Sequence, residues 1–335
     1  MLYRGKNLLS EILKNKKCFK LVCGAGNEDA TEVEKLVALY SRAGCNVFDL
    51  SADLEVLVAA KRGLGHSIPQ VEQSNFHFCI SVGISGDPHV SKAFVDALRC
   101  VACKKCISVC PQDAISIVSE VCSIEKKRCI GCGKCAKKCL RDAIYFVSKT
   151  KNFKEVLPPL VKEGIDCIEF HALCEDESEV AAKWAEINSC FDGILGICVD
   201  RSKLGNEKLL KRIKKMIEGR KPFTTIIQAD GVPMSGSDDD FKTTLQAIAM
   251  AEVFQNENLL AFLIVSGGTN SKSAQLAKQC GVHLDGVAIG SYARKIVKKY
   301  IDRDDFLTNT EIFEEALIVA QNLVKTSLVY LSDDM

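Results

Sequence analysis

Two short stretches hold the residues best suited to chemistry. CVACKKCISVCP, Cys100 to Pro111, is answered by CIGCGKCAKKCL, Cys129 to Leu140, each with four cysteines separated by two, two and three residues. Three closely spaced thiolates can wrap one corner of an iron–sulfur cubane. In the C-x2-C-x2-C-x3-C-P run of bacterial two-cluster ferredoxins, the fourth reaches the neighbouring cluster. By that rule one cluster takes Cys100, Cys103, Cys106 and Cys139, and the other takes Cys129, Cys132, Cys135 and Cys110. Zinc is the competing reading. It usually uses two CxxC knuckles and four ligands, not two runs of four. The spacing therefore predicts two [4Fe–4S] clusters. The tails PQDAISIV and LRDAIYFV repeat one another, as the halves of a small ferredoxin would, and Leu140 replaces a proline that is not a ligand. Cys122 lies outside both runs and reads as a packing or free thiol.

From Arg99 to Tyr145 there are ten Lys or Arg against four Asp or Glu, in a chain whose formal net charge is +1. An oxidised cubane with four thiolates carries about −2, so part of this excess compensates the clusters. The remainder could steer a redox partner protein such as an acidic ferredoxin or flavodoxin; a solvated lysine-rich face is the alternative. No nucleic-acid partner is expected. Eighteen cysteines in a 335-residue chain without a secretory pattern point to a reducing compartment, cytoplasmic or stroma-like. No apolar run is long enough for a membrane span. The basic start, MLYRGKNLLSEILKNKK, reads as an amphipathic helix.

The elements that must position these cysteines alternate along the rest of the chain. Strand candidates are residues 19–26, 45–52, 76–84, 165–172, 192–200, 223–230, 259–268 and 284–290, with amphipathic stretches such as TEVEKLVALYSRAG between them. Eight strands alternating with helices predict an α/β fold, a (β/α)8 TIM-like barrel; an open doubly wound sheet is the runner-up. The cysteine runs interrupt this pattern after the third strand. The expected domains are a barrel from 1–98 and 148–335 and an inserted two-cluster ferredoxin domain at 99–147. An insert in a βα loop sits over the active-site mouth.

Two groups of barrel residues draw attention. Strand seven ends in SGGTN and strand eight in IGSYAR, on the two loops that commonly bind phosphate in such barrels. Gly267, Gly268, Gly290 and Ser291 would form a cradle at a helix N-terminus, with Arg294 nearby, for a phosphate-bearing small molecule. FMN would suit, because flavins exchange electrons singly and in pairs. In IDCIEFHA, alternation puts Cys167, Glu169 and His171 on the lumen face, so Glu169 and His171 are the catalytic candidates for proton transfer. Asp49, Ser51, Gln228 and Asp230 follow the same logic. Cys23, Cys79 and Cys198 read as small core residues. ADGVPMSGSDDDFKTT, with Asp230, Gly231 and Pro233 shaping a turn, reads as a lid or an exposed loop.

The stretches FKLVCGAGNEDATEVEKLVALYSRAGCNVFDLSAD, QADGVPMSG, VSGGTN and GVAIGSYAR, around a two-cluster insert, resemble the light-dependent period (LdpA) family of cyanobacteria and related photosynthetic lineages. The resemblance implies an iron–sulfur protein that senses cellular redox state and serves light input to the circadian clock, its functional residues being the eight cluster cysteines. It implies no defined catalysis. The expected function is thus electron transfer and redox sensing beside a ligand-binding barrel. The alternative is an FMN-dependent iron–sulfur oxidoreductase fed by the clusters.

Overall fold

The computed structural model describes residues 4–231 and 238–332, with side chains from residue 8. Eight strands close into a parallel barrel: β1 (Cys18–Val22), β2 (Val47–Ser51), β3 (His77–Gly83), β8 (Cys167–His171), β9 (Ile194–Val199), β10 (Thr225–Asp230), β11 (Phe262–Ser266) and β12 (Gly286–Ile289). The four strands between β3 and β8 are β4 (Ser91–Val95), β5 (Ile115–Val118), β6 (Val121–Ile124) and β7 (Ile144–Ser148). The eight expected barrel strands are the ones that form, and helices follow them as the amphipathic stretches implied. The stretch from Val232 to Ser237, with Pro233 of the sixth loop, lies outside the described residues.

Alternation along each strand divides the apolar residues between two cores. On β2, Phe48 and Leu50 face the surrounding helices, while Val47 joins Cys18, Cys79, Cys167, Ile194, Ile226, Phe262 and Ile264 in the lumen. Leu9 and Leu13, on the first helix (Arg4–Lys14), are fully buried in that lumen cluster. That helix therefore plugs the bottom of the barrel. The upper lumen carries polar residues instead, on the same strand faces.

Between β3 and β8 the chain leaves the barrel. β4 pairs antiparallel with β7 and β5 with β6, giving two small ribbons around the cysteine runs. The first ribbon strand lies ahead of Arg99, because β7 needs a partner that the barrel cannot supply. The two halves share a backbone signature: Ala102 and Lys104 in the first run, and Gly131 and Gly133 in the second, all have positive φ. Asp113 and Asp142 repeat it after the fourth cysteines.

Candidate functional site

The cysteines line two cavities in the lobe. One is bounded by Cys100, Cys103, Cys106 and Cys139, together with Cys122. The other is bounded by Cys110, Cys129, Cys132 and Cys135. Left-handed residues inside each run turn the chain around its cavity. Backbone N–H groups donate to sulfur in matching positions, Ala114 to Cys110 (3.3 Å) and Ala143 to Cys139 (3.4 Å). Donation of this kind stabilises thiolate charge and helps set cluster potentials. A converging set of thiols with N–H donors fits a cubane. Sequence reasoning set Cys122 aside. Its Sγ lies 3.4 Å from Cys106 Sγ and its N–H donates to Cys100 Sγ (3.4 Å), so it is a fifth thiol in the first cavity.

The cavities differ in setting. Cys103 is exposed, and Val101 beside it is 58% exposed, so the first opens to the surface. The second faces the barrel. A Cβ on Gly131 would meet the Pro88 and Ser91 carbonyl oxygens at 2.2 and 2.6 Å, so only glycine allows this loop to sit so close. Lys92 Nζ donates to the carbonyls of Gly26 (2.7 Å) and Cys129 (2.9 Å), tying the barrel's first βα loop to the second run. Glu28 N–H also donates to Lys127 O (2.7 Å).

The barrel mouth below is a cavity bordered by Gly24, Gly26, His89, Ile130 and the polar ends of the strands. Lys20 on β1 lies buried at its base. Its ammonium pairs with Glu169 on β8, donates to Gln228 Oε1 on β10 (3.0 Å) and lies 3.7 Å from Asp49 on β2. Gln228 Nε2 donates to Glu169 Oε1 (2.9 Å), and Ser81 Oγ on β3 donates to Asp49 Oδ1 (2.5 Å). His171 Nδ1 donates to Asp87 Oδ2 (3.0 Å), while its Nε2 lies 3.4 Å from Glu169 Oε1. The other Asp87 oxygen accepts from His89 Nδ1 (2.8 Å).

Charge sorts these groups by proton affinity. Burial alone would raise Glu169, but Lys20 and His171 outweigh it and bring it down to about 2. Burial would lower His171, yet Asp87 and Glu169 carry it well above the usual imidazole range. Asp87, which burial would raise, is instead held far below the ordinary carboxylate value by His171 and then His89. Asp49 and Asp230 go the other way. Burial pushes each up to about 6, Asp49 despite Lys20 and Asp230 despite His89.

The glycines and Ser291 of the expected phosphate cradle do line the mouth, on the loops after β11 and β12. Arg294 reaches it too, but its guanidinium donates to Cys23 O and pairs with Glu32 (3.2 Å). The Asp230 carboxyl packs against Gly267 so closely that a Cβ there would lie 1.3 Å from Oδ1. Ser51 is buried with no partner for its hydroxyl among the described residues, and the sulfurs of Cys23, Cys79 and Cys198 are enclosed. The residues that sequence reasoning missed are Lys20, Ser81, Asp87 and His89. Lys20 had a signal, a lone charge inside the apolar run FKLV.

Asp230 gives a test by pH. Its folded-state proton affinity exceeds that of an unfolded aspartate, so its contribution favours folding at low pH and is lost as pH rises from about 4 to 6. Asp230→Asn removes that loss. The variant should be about 2–3 kcal/mol more stable than the parent above pH 6, with the gap closing below pH 4. Urea unfolding across that range checks it; a gap independent of pH would show that Asp230 is not held protonated by burial.

A closed parallel barrel with a ferredoxin-type cysteine lobe on its mouth defines the class: an iron–sulfur barrel protein related to redox chemistry. Residues 93–116 match the model of the 4Fe-4S binding domain, and residues 159–326 that of the Light dependent period A C-terminal domain. The chain belongs to the Light dependent period A family. It is 28% identical over 295 residues to Light dependent period A from Synechococcus elongatus, covering 85% of this chain and 82% of that protein. Solved structures it resembles include tryptophan synthase from Mycobacterium tuberculosis (10% identity, TM-score 0.47, 98% of each chain). Tryptophan synthase subunit alpha from Legionella pneumophila is another (11% identity, TM-score 0.46, 99% of each chain). No helix among the described residues is long and apolar enough to cross a membrane.

Proposed function

We propose that this protein is an electron carrier and redox sensor that binds two [4Fe–4S] clusters, one in each cysteine cavity. In this reading the exposed cavity meets a redox partner protein and the inner one serves the barrel mouth. When bound, the clusters supply one-electron transfer. The observation that carries the reading is the pair of crossed thiol sets, of which one opens at Cys103 and the other adjoins the mouth through Ile130 and the Lys92 bridge. Lys137, Lys138 and Arg141 flank the exposed Leu140 next to Cys139, a basic surface suited to an acidic ferredoxin or flavodoxin. At the mouth, Glu169 and His171 act as a fixed ion pair near neutral pH, and proton exchange falls to Asp49 and Asp230. The name of the relative, with its light-dependent period, accords with a sensor that reports redox state.

The residues named for a flavin phosphate do not fit one as they stand. Arg294 is committed to Glu32 and Cys23, and a carboxyl group lies against Gly267.

The order of the two cavities is tested by kinetics. Cys103→Ala should remove the outer cluster and slow reduction of the remaining one by reduced flavodoxin, in anaerobic stopped flow, to the rate of a variant with a reversed-charge docking face. Rapid, unchanged reduction of the inner cluster would refute the entry route.

A further inference from the structure

A second cavity beside the mouth takes no part in the proposed electron route. It encloses about 380 Å³ between barrel and lobe, within the range of small-molecule sites. Its walls carry Lys92, Lys126, Lys149 and Lys151, with Phe153 as an apolar face and Glu28 and Asp53 as the acidic residues. We propose that this chamber binds a small, multiply charged anion, either a phosphate compound or a polycarboxylate.

Four ammonium groups meet two carboxylates, and those two are already in use; Lys92 adds charge only, its protons going to Gly26 O, Cys129 O and Glu28, while Lys151 also donates to Ala52 O (2.8 Å). Glu28 pairs with both Lys92 (3.3 Å) and Lys151 (2.9 Å), and Lys151 also lies 4.0 Å from Asp53. Lys126 donates to Ala93 O and stands 3.7 Å above the Phe94 ring. Lys149 is in no ion pair among the described residues and lies 5.9 Å from the same ring. Neighbouring cations in a shared cavity repel one another, and an anion placed among them relieves that repulsion. A lysine ammonium is a point charge that recognises phosphate or carboxylate without demanding a planar fork.

Position adds meaning. Ala25, Gly26 and His89 border both this chamber and the barrel mouth, so an anion held by the lysines extends its other end toward His89. Its anchoring residues come from the strands and linkers that carry the lobe, not from the loops after β11 and β12. The inference draws on the proposed function only for the ligand's nearness to the inner cluster; binding itself is independent of electron transfer, so either can fail alone.

Calorimetry on the cluster-loaded protein at low salt, with pyrophosphate and with citrate as separate probes, tests it. One-to-one binding of at least one is expected, and which one binds identifies the class. Lys149→Glu should weaken binding by about 10-fold or more, and Lys151→Gln should weaken it measurably. Lys211→Glu, the same charge reversal on an outer barrel helix, should leave it unchanged. The cluster absorbance of each variant reports that it folds. If neither probe binds, or if Lys149→Glu and Lys151→Gln bind like the parent, the lysines serve only to fasten the lobe and the proposal is overturned.

Discussion

A chain carrying both Cys110→Ala and Cys129→Ala should retain half of its iron, whereas one carrying both Cys106→Ala and Cys110→Ala should lose nearly all of it. The reason lies in the crossing of ligands. Cys110 ends the first run, yet its sulfur faces the cavity of Cys129, Cys132 and Cys135, and Cys139 ends the second run while facing the cavity of Cys100, Cys103 and Cys106. Cys110 and Cys129 would then be ligands to one cluster, and losing both costs only that cluster. Cys106 and Cys110 would belong to different clusters, and losing them spoils both sites. Uncrossed ligation gives the opposite result, because Cys106 and Cys110 would then share a site. Iron and sulfide per chain, measured on anaerobically purified protein, decide between the two. The reduced first variant should also lose the spin coupling between paired clusters. Cys122 Sγ sits beside Cys106, where it could take over as a ligand, so the variant carrying Cys103→Ala with Cys110→Ala is the matching control and should lose nearly all of its iron as well.

The cysteine lobe was legible because its information is local. Ligands three and four residues apart need only a short loop, and the repeat announces itself twice in forty residues. Barrel strands were legible for a related reason, since Val47, Phe48 and Asp49 point alternately inward and outward and their types follow that alternation. What escaped was long-range. Lys20 finds Glu169 across 149 positions, and nothing near FKLV names the partner. Arg294 follows Gly290 and Ser291 on one of the two loops that commonly bind phosphate in such barrels, which points it toward an anion. In the fold it is met by Glu32, on the helix after β1, which sequence adjacency could not reveal. The direction in which the lobe docks left one trace. The second run has Gly131 and Gly133 where the first has Ala102 and Lys104, and the run that lies against the barrel is the one that dispenses with a side chain at its closest approach.

Lys20→Met is expected to be among the most damaging single substitutions in the barrel, costing about 3–5 kcal/mol. The methionine nearly preserves length but removes the one ammonium that Glu169 and Asp49 share, while Gln228 loses a donor to its Oε1. Two buried carboxylates then face each other with Ser81, Gln228 and His171 as their remaining partners. Paired removal should be milder: Lys20→Met with Glu169→Met replaces the ion pair by apolar contact, so the double variant should recover part of the loss. The pH response carries the same logic with opposite signs. In the parent, Glu169 is held down at about 2, so its contribution is present above the unfolded value near 4.5 and fades only as pH falls toward 2. Without Lys20 the proton affinity of Glu169 rises, and the single variant should gain stability relative to the parent as pH falls from 7 to 5. Urea midpoints on anaerobic protein at both pH values provide the check. Equal deficits at the two pH values would mean that Lys20 acts through packing, and that the charges at the barrel mouth are balanced by some other group.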